Sequence, residues 1–322
     1  MFNIGPHTIE HPAMLAPMAG ITDRPFRQMC RRLGASYAVS EMLSCDLSLL
    51  KTAKSQFRRN HEGEPAPIAV QIAGADPQAI AIAAQQDVSN GAQIIDINMG
   101  CPAKKVAKKK CGSALLAEPQ LVQQIIEATV KAVDVPVTLK TRLGTDEDNK
   151  NILQIAEIAE NNGIQALFIH GRTKQQKYTG KADYRLIAEV KKHLSIPVIA
   201  NGDIDSADKA RQVLEETGCD AIMVGRAAQG NPWVFREIQH HLRCGGYLPR
   251  PCAEEIIQVM YDHVRQLHLF YGEFRGCRIA RKHIKWFLEH LQLQSIARII
   301  NQIDNAEEQL EFIQSKLLKK VA

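Results

Sequence analysis

The sequence predicts a (β/α)8 barrel, or TIM barrel, followed by a small helical bundle. Short apolar runs alternate eight times with helix-period segments over roughly the first 230 residues, and no convincing strand follows Asn231. An open doubly wound sheet fits less well, because its first βα turn usually carries a glycine-rich fingerprint, whereas Ala16–Gly20 reads APMAG. We therefore predict a barrel domain over residues 1–240 and a helical domain over residues 241–322.

Composition narrows the class of protein before any motif is considered. A chain of 322 residues with 45% apolar residues can build one large and one small core, and it contains no run long enough to span a bilayer. The eight cysteines lack the paired spacing of a disulfide framework or a zinc site. No secretory signal is visible, and the net charge of +5 is only mildly basic. We expect a cytoplasmic protein without a metal, with a monomer as the default state.

Each predicted barrel element has a local signal. The chain begins with a predicted hairpin over Phe2–Pro12. Asp76–Pro77 supplies an N-cap and a first helical proline, and Gly218 ends a later helix. The segment Leu43–His61 is polar and irregular, and we expect it to be mostly loop. The predicted strands are short apolar runs of the kind buried on both faces: Ala13–Ala16, Tyr37–Ser40, Ile68–Ile72, Ile94–Ile97, Val137–Lys140, Ala166–Ile169, Val198–Ala200 and Ala221–Val224.

The C-terminal region is predicted to be all helical. The helices span Cys252–Tyr271, Gly276–His290, Ser295–Ile300 and Asn305–Lys320. The second of them carries an apolar stripe at Cys277, Ala280, Ile284 and Phe287. Its other side is basic, with Arg275, Arg278, Arg281, Lys282 and Lys285. A solvated face is the ordinary interpretation of such charge, and a phosphate-binding surface is preferred only if something else indicates nucleic acid.

Candidate site residues, most of them polar, lie at the ends of nearly all the predicted strands. They are Pro17, Met18, Ala19, Gln71, Asn98, Cys101, Lys140, Arg142, His170, Arg172, Asn201, Gly202, Asp203, Gly225 and Arg226. The carboxyl ends of barrel strands meet at one mouth, so these residues predict a functional site there. Cys101 is either an inert buried thiol or a proton donor at that mouth. Five lysines in the next nine residues, Lys104, Lys105, Lys108, Lys109 and Lys110, favour the second interpretation, because they would suit a polyanion.

Together these segments resemble the tRNA-dihydrouridine synthase family, most closely its bacterial B-type branch. The motifs that carry the resemblance span nearly the whole chain: APMAGITDRPFR at 16–27, VQIAG at 70–74, IIDINMGCPAKKV at 94–106, PVTLKTR at 136–142, IHGRT at 169–173, IPVIANGDI at 196–204, VGRAAQGNPW at 224–233 and RIARKHIKW at 278–286. The resemblance implies an FMN-bound barrel that reduces the C5–C6 double bond of a tRNA uridine, with NADPH as electron source. It points to a D-loop uridine, at position 17.

The resemblance also implies roles for the strand-end residues. Cys101 would donate a proton to C5, a role that suits a neutral thiol. Lys140 would face the flavin N1–C2 edge, and the other cofactor contacts would be Pro17, Met18, Ala19, Gln71, His170, Asn201, Gly202, Asp203, Gly225 and Arg226. Asn98, Arg142 and Arg172 would hold the uridine or its phosphate. The lysines after Cys101 and the basic side of the bundle would contact the RNA backbone.

Three alternatives remain open from the sequence. A dihydroorotate dehydrogenase-like FMN barrel would act on the same bond in a free pyrimidine, but it has no use for a basic helical tail. A non-catalytic tRNA-binding factor would not need Cys101 and Lys140. A phosphate-binding aldolase is least favoured, because no lysine–carboxylate pair stands out at the strand ends.

Overall fold

Parallel strands form the centre of the protein, which a computed structural model describes over residues 1–49, 51–107 and 110–317, without the side chains of Lys104, Lys105 and Lys316. The strands are β1 (Phe2–Ile4), β2 (His7–Ile9), β3 (Ala13–Leu15), β4 (Leu43–Ser44), β5 (Ala69–Ala73), β6 (Ile94–Asn98), β7 (Val137–Arg142), β8 (Leu167–His170), β9 (Val198–Asn201) and β10 (Ala221–Val224). The eight strands β3 to β10 form one sheet, and every pairing in it is parallel. Their order across the sheet is β3-β10-β9-β8-β7-β6-β5-β4. The predicted barrel is confirmed.

The second barrel position is where the prediction of a regular strand is wrong. Instead of a strand over Tyr37–Ser40, single parallel bridges join Ala38 to Leu15 and Val39 to Ala69, and these close the ring. The Gln71 N–H donates to the Ser40 hydroxyl at 3.1 Å, a side-chain bond in the region where the regular ladder is missing. Pairing resumes only at β4, opposite the end of β5. An irregular second position therefore separates β3 from β5.

Helices surround the sheet. In chain order they are α1 (Arg24–Arg32), α2 (Ala53–Arg59), α3 (Pro77–Ser89), α4 (Lys104–Ala107), α5 (Pro119–Ala132), α6 (Ile152–Asn161), α7 (Arg185–His193), α8 (Ala207–Thr217), α9 (Val234–Cys244), α10 (Ala253–Tyr271), α11 (Glu273–His290), α12 (Ala297–Ile300) and α13 (Ala306–Glu311). Asp76 caps α3 and Gly218 ends α8 in a left-handed conformation, as predicted. Across the described ranges, no helix is long and apolar enough to cross a membrane.

Helix α2 corrects the expectation that Leu43–His61 is mostly loop. Thr52 caps the helix by accepting from the Ser55 N–H. Phe57 then packs against Phe270 and Tyr271 of α10, with ring centroids 5.2 and 4.8 Å apart. Short helices are marginal without tertiary contacts, so the packing partner that stabilises α2 lies some 200 residues away and is invisible locally.

Two layers of apolar residues position the mouth of the barrel. The hairpin β1–β2 contributes the fully buried Ile4 and Ile9 to a cluster that also contains Tyr37, Phe168 and Met223 from inside the barrel. A second, larger cluster joins the outer faces of the strands to the helices. Since apolar side chains fill the barrel interior, the polar strand ends face the remaining open end.

The C-terminal helices dock against the start of the barrel. α10 and α11 form a helical pair, and α10 also contacts α1. On the other side, Trp233 packs against Phe287 of α11, and a side chain at Gly230 would overlap the Trp286 backbone. The proposed domain division at 240/241 lies inside α9, which packs on α8 and ends at Cys244. The predicted helix Asn305–Lys320 is observed as α13 and a π-helical turn over Phe312–Leu317, and residues 318–320 lie outside the described part of the chain.

Candidate active site

A cavity of about 1020 Å³ opens at the carboxyl ends of the barrel strands. The structure brings together there all eleven predicted cofactor residues, together with Asn98, Cys101 and Arg142: Pro17, Met18, Ala19, Gln71, Lys140, His170, Asn201, Gly202, Asp203, Gly225 and Arg226. Four cationic side chains line it (Lys140, Arg142, Lys177 and Arg226), against two carboxylates (Asp203 and Asp205). The excess of positive charge favours an anionic ligand. In the described ranges, no cluster of three His, Cys, Asp or Glu side chains could hold a metal.

Buried hydrogen bonds fix the floor of the cavity. Asp96 in β6 accepts from Gln71 Nε2 and from the Thr138 hydroxyl, each at 2.7 Å. Gln71 Oε1 in turn accepts from Asn98 Nδ2 at 2.7 Å. Burial raises the pKa of the Asp96 carboxyl to about 6, and the hydrogen bonds from Gln71 and Thr138 oppose that shift. A satisfied buried network of this kind holds its members in one arrangement, so the amide groups of Gln71 and Asn98 have defined orientations.

The turn that carries Cys101 is held from both sides. Asn98 Oδ1 accepts from the backbone N–H of Cys101 at 3.0 Å, and Arg142 Nε donates to the Gly100 carbonyl at 2.7 Å. Arg142 also donates to the carbonyls of Thr173 and Lys177, at 3.0 and 2.8 Å, in the loop after β8. Arg142 is therefore a buried link between two loops, and Cys101 lines the cavity from a fixed backbone.

Lys140 extends into the cavity from β7. Its ammonium donates to Asn201 Oδ1 at 3.0 Å, and the Asn201 amide donates to the Met223 carbonyl at 2.7 Å. Burial, reinforced by the neighbouring Arg142 charge, lowers the pKa of Lys140 to about 8. Most of the Lys140 side chains therefore remain charged at pH 7.

His170, Arg172, Asp203 and Arg226 form one connected group. Asp203 accepts from Arg172 at 2.6 Å and from Arg226 at 3.2 Å. Arg172 also donates to the carbonyls of Thr179 and Gly180, so the structure uses it to hold the loop after β8, and it does not line the cavity. Burial and the surrounding cations lower the pKa of His170 far below its ordinary value, so this imidazole is neutral at pH 7.

The predicted basic residues of α11 differ in their surroundings, and none of them lines the cavity. Arg275, Arg278 and Lys285 are exposed, with Arg278 over the Phe274 ring at 5.4 Å. Arg281 instead pairs with Asp304, and Lys282 donates to the Gly20 carbonyl. The predicted contacts at Lys108 and Lys109, and at the side chains of Lys104 and Lys105, lie outside the described residues.

Tyr178 is the main cavity residue that the sequence analysis missed. Its exposed ring lies near the guanidinium groups of Arg142 and Arg226, at 5.8 and 5.2 Å, and near the His170 ring, at 6.4 Å between centroids. A single aromatic residue in the polar loop KQQKYTGK after β8 was the available signal. Flat exposed rings beside cations are suited to stacking with bases.

Comparison with known proteins agrees with this geometry. A family model described as dihydrouridine synthase matches residues 14–322. The chain belongs to the dihydrouridine synthase family. It is 58% identical over 312 residues to the tRNA-dihydrouridine synthase B of Vibrio cholerae, covering 97% of each chain. It is 58% identical over 288 residues to that of Pseudomonas aeruginosa, covering 89% of this chain and 87% of the relative.

Solved structures of other proteins share this barrel fold at low sequence identity. A 2-naphthoyl-CoA reductase covers 74% of this chain, and the chain covers 51% of that protein, with a TM-score of 0.57 and 13% identity. A histamine dehydrogenase from Rhizobium covers 82%, and the chain covers 50% of it, with a TM-score of 0.56 and 13% identity. The family model and the named relatives confirm the family resemblance, and the chain is an oxidoreductase. Membership of this family favours a dihydrouridine synthase over the dihydroorotate dehydrogenase-like enzyme, the tRNA-binding factor and the aldolase.

Proposed function

We propose that this protein is a cytoplasmic, FMN-dependent tRNA-dihydrouridine synthase that reduces the C5–C6 bond of uridine 17 in the D-loop with NADPH. The observation that carries the proposal is the presence of Cys101 and Lys140 in one cavity, at the ends of the adjacent strands β6 and β7. The names of the relatives support tRNA as the substrate.

The residues of the cavity fit an anionic flavin nucleotide. The volume of the cavity, about 1020 Å³, is at the upper end of the range for cofactor pockets. Lys140 would hold the N1–C2 edge of the ring, and Gln71 and the Pro17–Ala19 segment would contact its remaining edges. Gly202 and Gly225 leave bare backbone beside Arg226, which suits a phosphate. A bound flavin would supply the hydride that is added to C6 of the uracil.

The chain itself would supply the proton. Addition of hydride at C6 leaves a pair of electrons at C5, and the Cys101 thiol would transfer its proton to that carbon. Asn98 and Arg142 hold the turn of Cys101 by its amide and by the preceding carbonyl. A fixed donor needs little reorganisation in the transition state, so both residues would act by positioning the thiol.

Two further groups would adapt the site to a nucleic acid. A uridine enters the cavity only after it leaves the stack of the folded RNA, which costs a few kcal/mol. Contacts between RNA phosphates and the exposed Arg275, Arg278 and Lys285 would offset that cost. Tyr178 would stack on the extruded base at the mouth. Recognition would depend mainly on the shape of the RNA.

An absorption experiment tests the proposal. Purified protein should show a flavin spectrum, lose it with NADPH under anaerobic conditions, and recover it with tRNA that lacks dihydrouridine. Recovery with free uridine or orotate instead would contradict the RNA substrate, and absence of flavin after reconstitution with FMN would contradict the cofactor. Replacing uridine 17 by cytidine in the tRNA should abolish recovery, and replacing uridine 20 should not.

A further inference from the structure

The loop between β3 and α1 forms one wall of the cavity and is held by an unexpected partner. Pro17, Met18, Ala19 and Ile21 of this loop line the cavity. The carbonyl of Gly20, within the same loop, accepts a hydrogen bond from the Lys282 ammonium in α11. Lys282 is more than 260 residues away in sequence. A helix of the C-terminal bundle therefore reaches the rim of the active-site cavity.

The N–H of Gly20 is held as well. It donates to the Glu41 carboxylate, which is buried and which also accepts from Arg58 at 3.0 Å. Both backbone polar groups of one exposed glycine are thus bonded to charged side chains. Charge-assisted hydrogen bonds are stronger than neutral ones, so this loop conformation depends on Lys282 and Glu41 together.

Two carboxylates compensate the charge of Lys282. Burial lowers the pKa of the Lys282 ammonium, while Asp23 and Glu41 oppose that shift. Asp23 is also buried, caps α1 and accepts from the Tyr271 hydroxyl of α10 at 3.1 Å. Lys282 thus belongs to an ionic cluster between the barrel and the bundle, whereas its neighbours Arg278 and Lys285 are exposed on the same helix.

We infer that Lys282 is a positioning residue that joins the bundle to the cofactor-side loop, and that it does not take part in the phosphate-binding face of α11. The inference rests on the proposed function for the identity of the cofactor and of the RNA. Its consequence is that the bundle has two separate tasks, one performed by the exposed cations and one by Lys282.

Three variants distinguish these tasks: Lys282→Met, Arg278→Met one turn earlier, and Lys285→Met as a second exposed control. Hydrogen exchange of the amides of residues 17–22, FMN affinity by fluorescence and the salt dependence of tRNA binding are measured on each holoenzyme. Lys282→Met should speed exchange of the Gly20 amide about tenfold and raise the FMN Kd about fivefold, with an unchanged salt slope. Arg278→Met should reduce the slope by about one and leave exchange and FMN affinity unchanged.

Unchanged loop exchange and FMN affinity in Lys282→Met, with a reduced salt slope, would overturn the inference. If Lys282→Met fails to fold, Glu41→Gln removes the other half of the clamp and should speed exchange of the same amide. Lys282→Arg, which keeps the charge, should restore most of the FMN affinity. Wild-type protein that binds neither FMN nor tRNA would refute the proposed function, but the exchange measurement would still test the clamp.

Discussion

The buried pair His263 and His283 predicts a pH-dependent loss of stability. Both rings are 1% exposed at the interface of α10 and α11 with α1, their centroids are 4.8 Å apart, and Phe26 lies 5.8 and 5.6 Å from them. Burial, together with the charges of Arg32 and Lys282, lowers the pKa of His263 to about 3 from 6.5, although the Pro25 carbonyl opposes the shift. Burial lowers the pKa of His283 as well.

The sign and size of the effect follow from proton linkage. In the unfolded chain a histidine binds a proton below pH 6.5, whereas folded His263 stays neutral until about pH 3. Acidification therefore stabilises the unfolded state. Between pH 7.5 and 5, one such group costs about 2 kcal/mol of unfolding free energy. The raised pKa of Asp23, about 6, acts in the opposite direction, because the folded state gains that proton first.

Comparison of variants isolates the histidine. The unfolding free energy of FMN-saturated protein is measured by urea denaturation at pH 7.5 and 5 for wild type and His263→Phe. The loss on acidification should be about 2 kcal/mol smaller in the variant, because carboxylates such as Asp23 cancel between the two proteins. His193→Gln, which removes an exposed histidine on α7, should behave like wild type. An equal loss in His263→Phe and wild type would refute the reasoning.

Three further perturbations address the cavity. Cys101→Ala should leave FMN binding and reduction by NADPH intact but slow reoxidation by tRNA at least about 100-fold, as stopped-flow absorbance would show; an unaffected rate would exclude Cys101 as the acid. Lys140 loses its charge above its pKa of about 8. Because a cation at the flavin N1–C2 edge stabilises the negative charge of the reduced flavin, reduction by NADPH should slow above that pH, and Lys140→Arg should flatten the profile. Gly202→Ala should lower the thermal stability and the FMN affinity, because the new Cβ would lie 2.9 Å from His170 at a backbone φ of +122°. The control Gly91→Ala, at φ +95° with no neighbour within 4 Å, should leave the FMN affinity unchanged. Equal FMN affinity in both variants would contradict the steric argument.

Local patterns determined most of the barrel. The apolar runs at β5 to β10 are buried on both faces and alternate with helices, of which α3 and α8 are capped by Asp76 and Ser206, so period and punctuation were sufficient to find them. The prediction was wrong at Tyr37–Ser40, where the only observed pairing is two isolated bridges, and at α2, which is stabilised by Phe270 and Tyr271. Both errors lie where a distant partner decides the local conformation.

The sequence by itself also determined most of the residues that meet at the mouth, because the carboxyl ends of parallel barrel strands converge whatever the side chains are. It missed Tyr178, and the predicted Arg172 does not line the cavity. Only the tertiary structure decided how these residues are used. Arg142 and Arg172 donate hydrogen bonds to carbonyls of the loop after β8. Lys282, predicted to belong to the basic side of α11, donates to the Gly20 carbonyl. Residue type and helical period place a cation on a face, but its hydrogen-bond partner depends on long-range packing, which the sequence does not show locally.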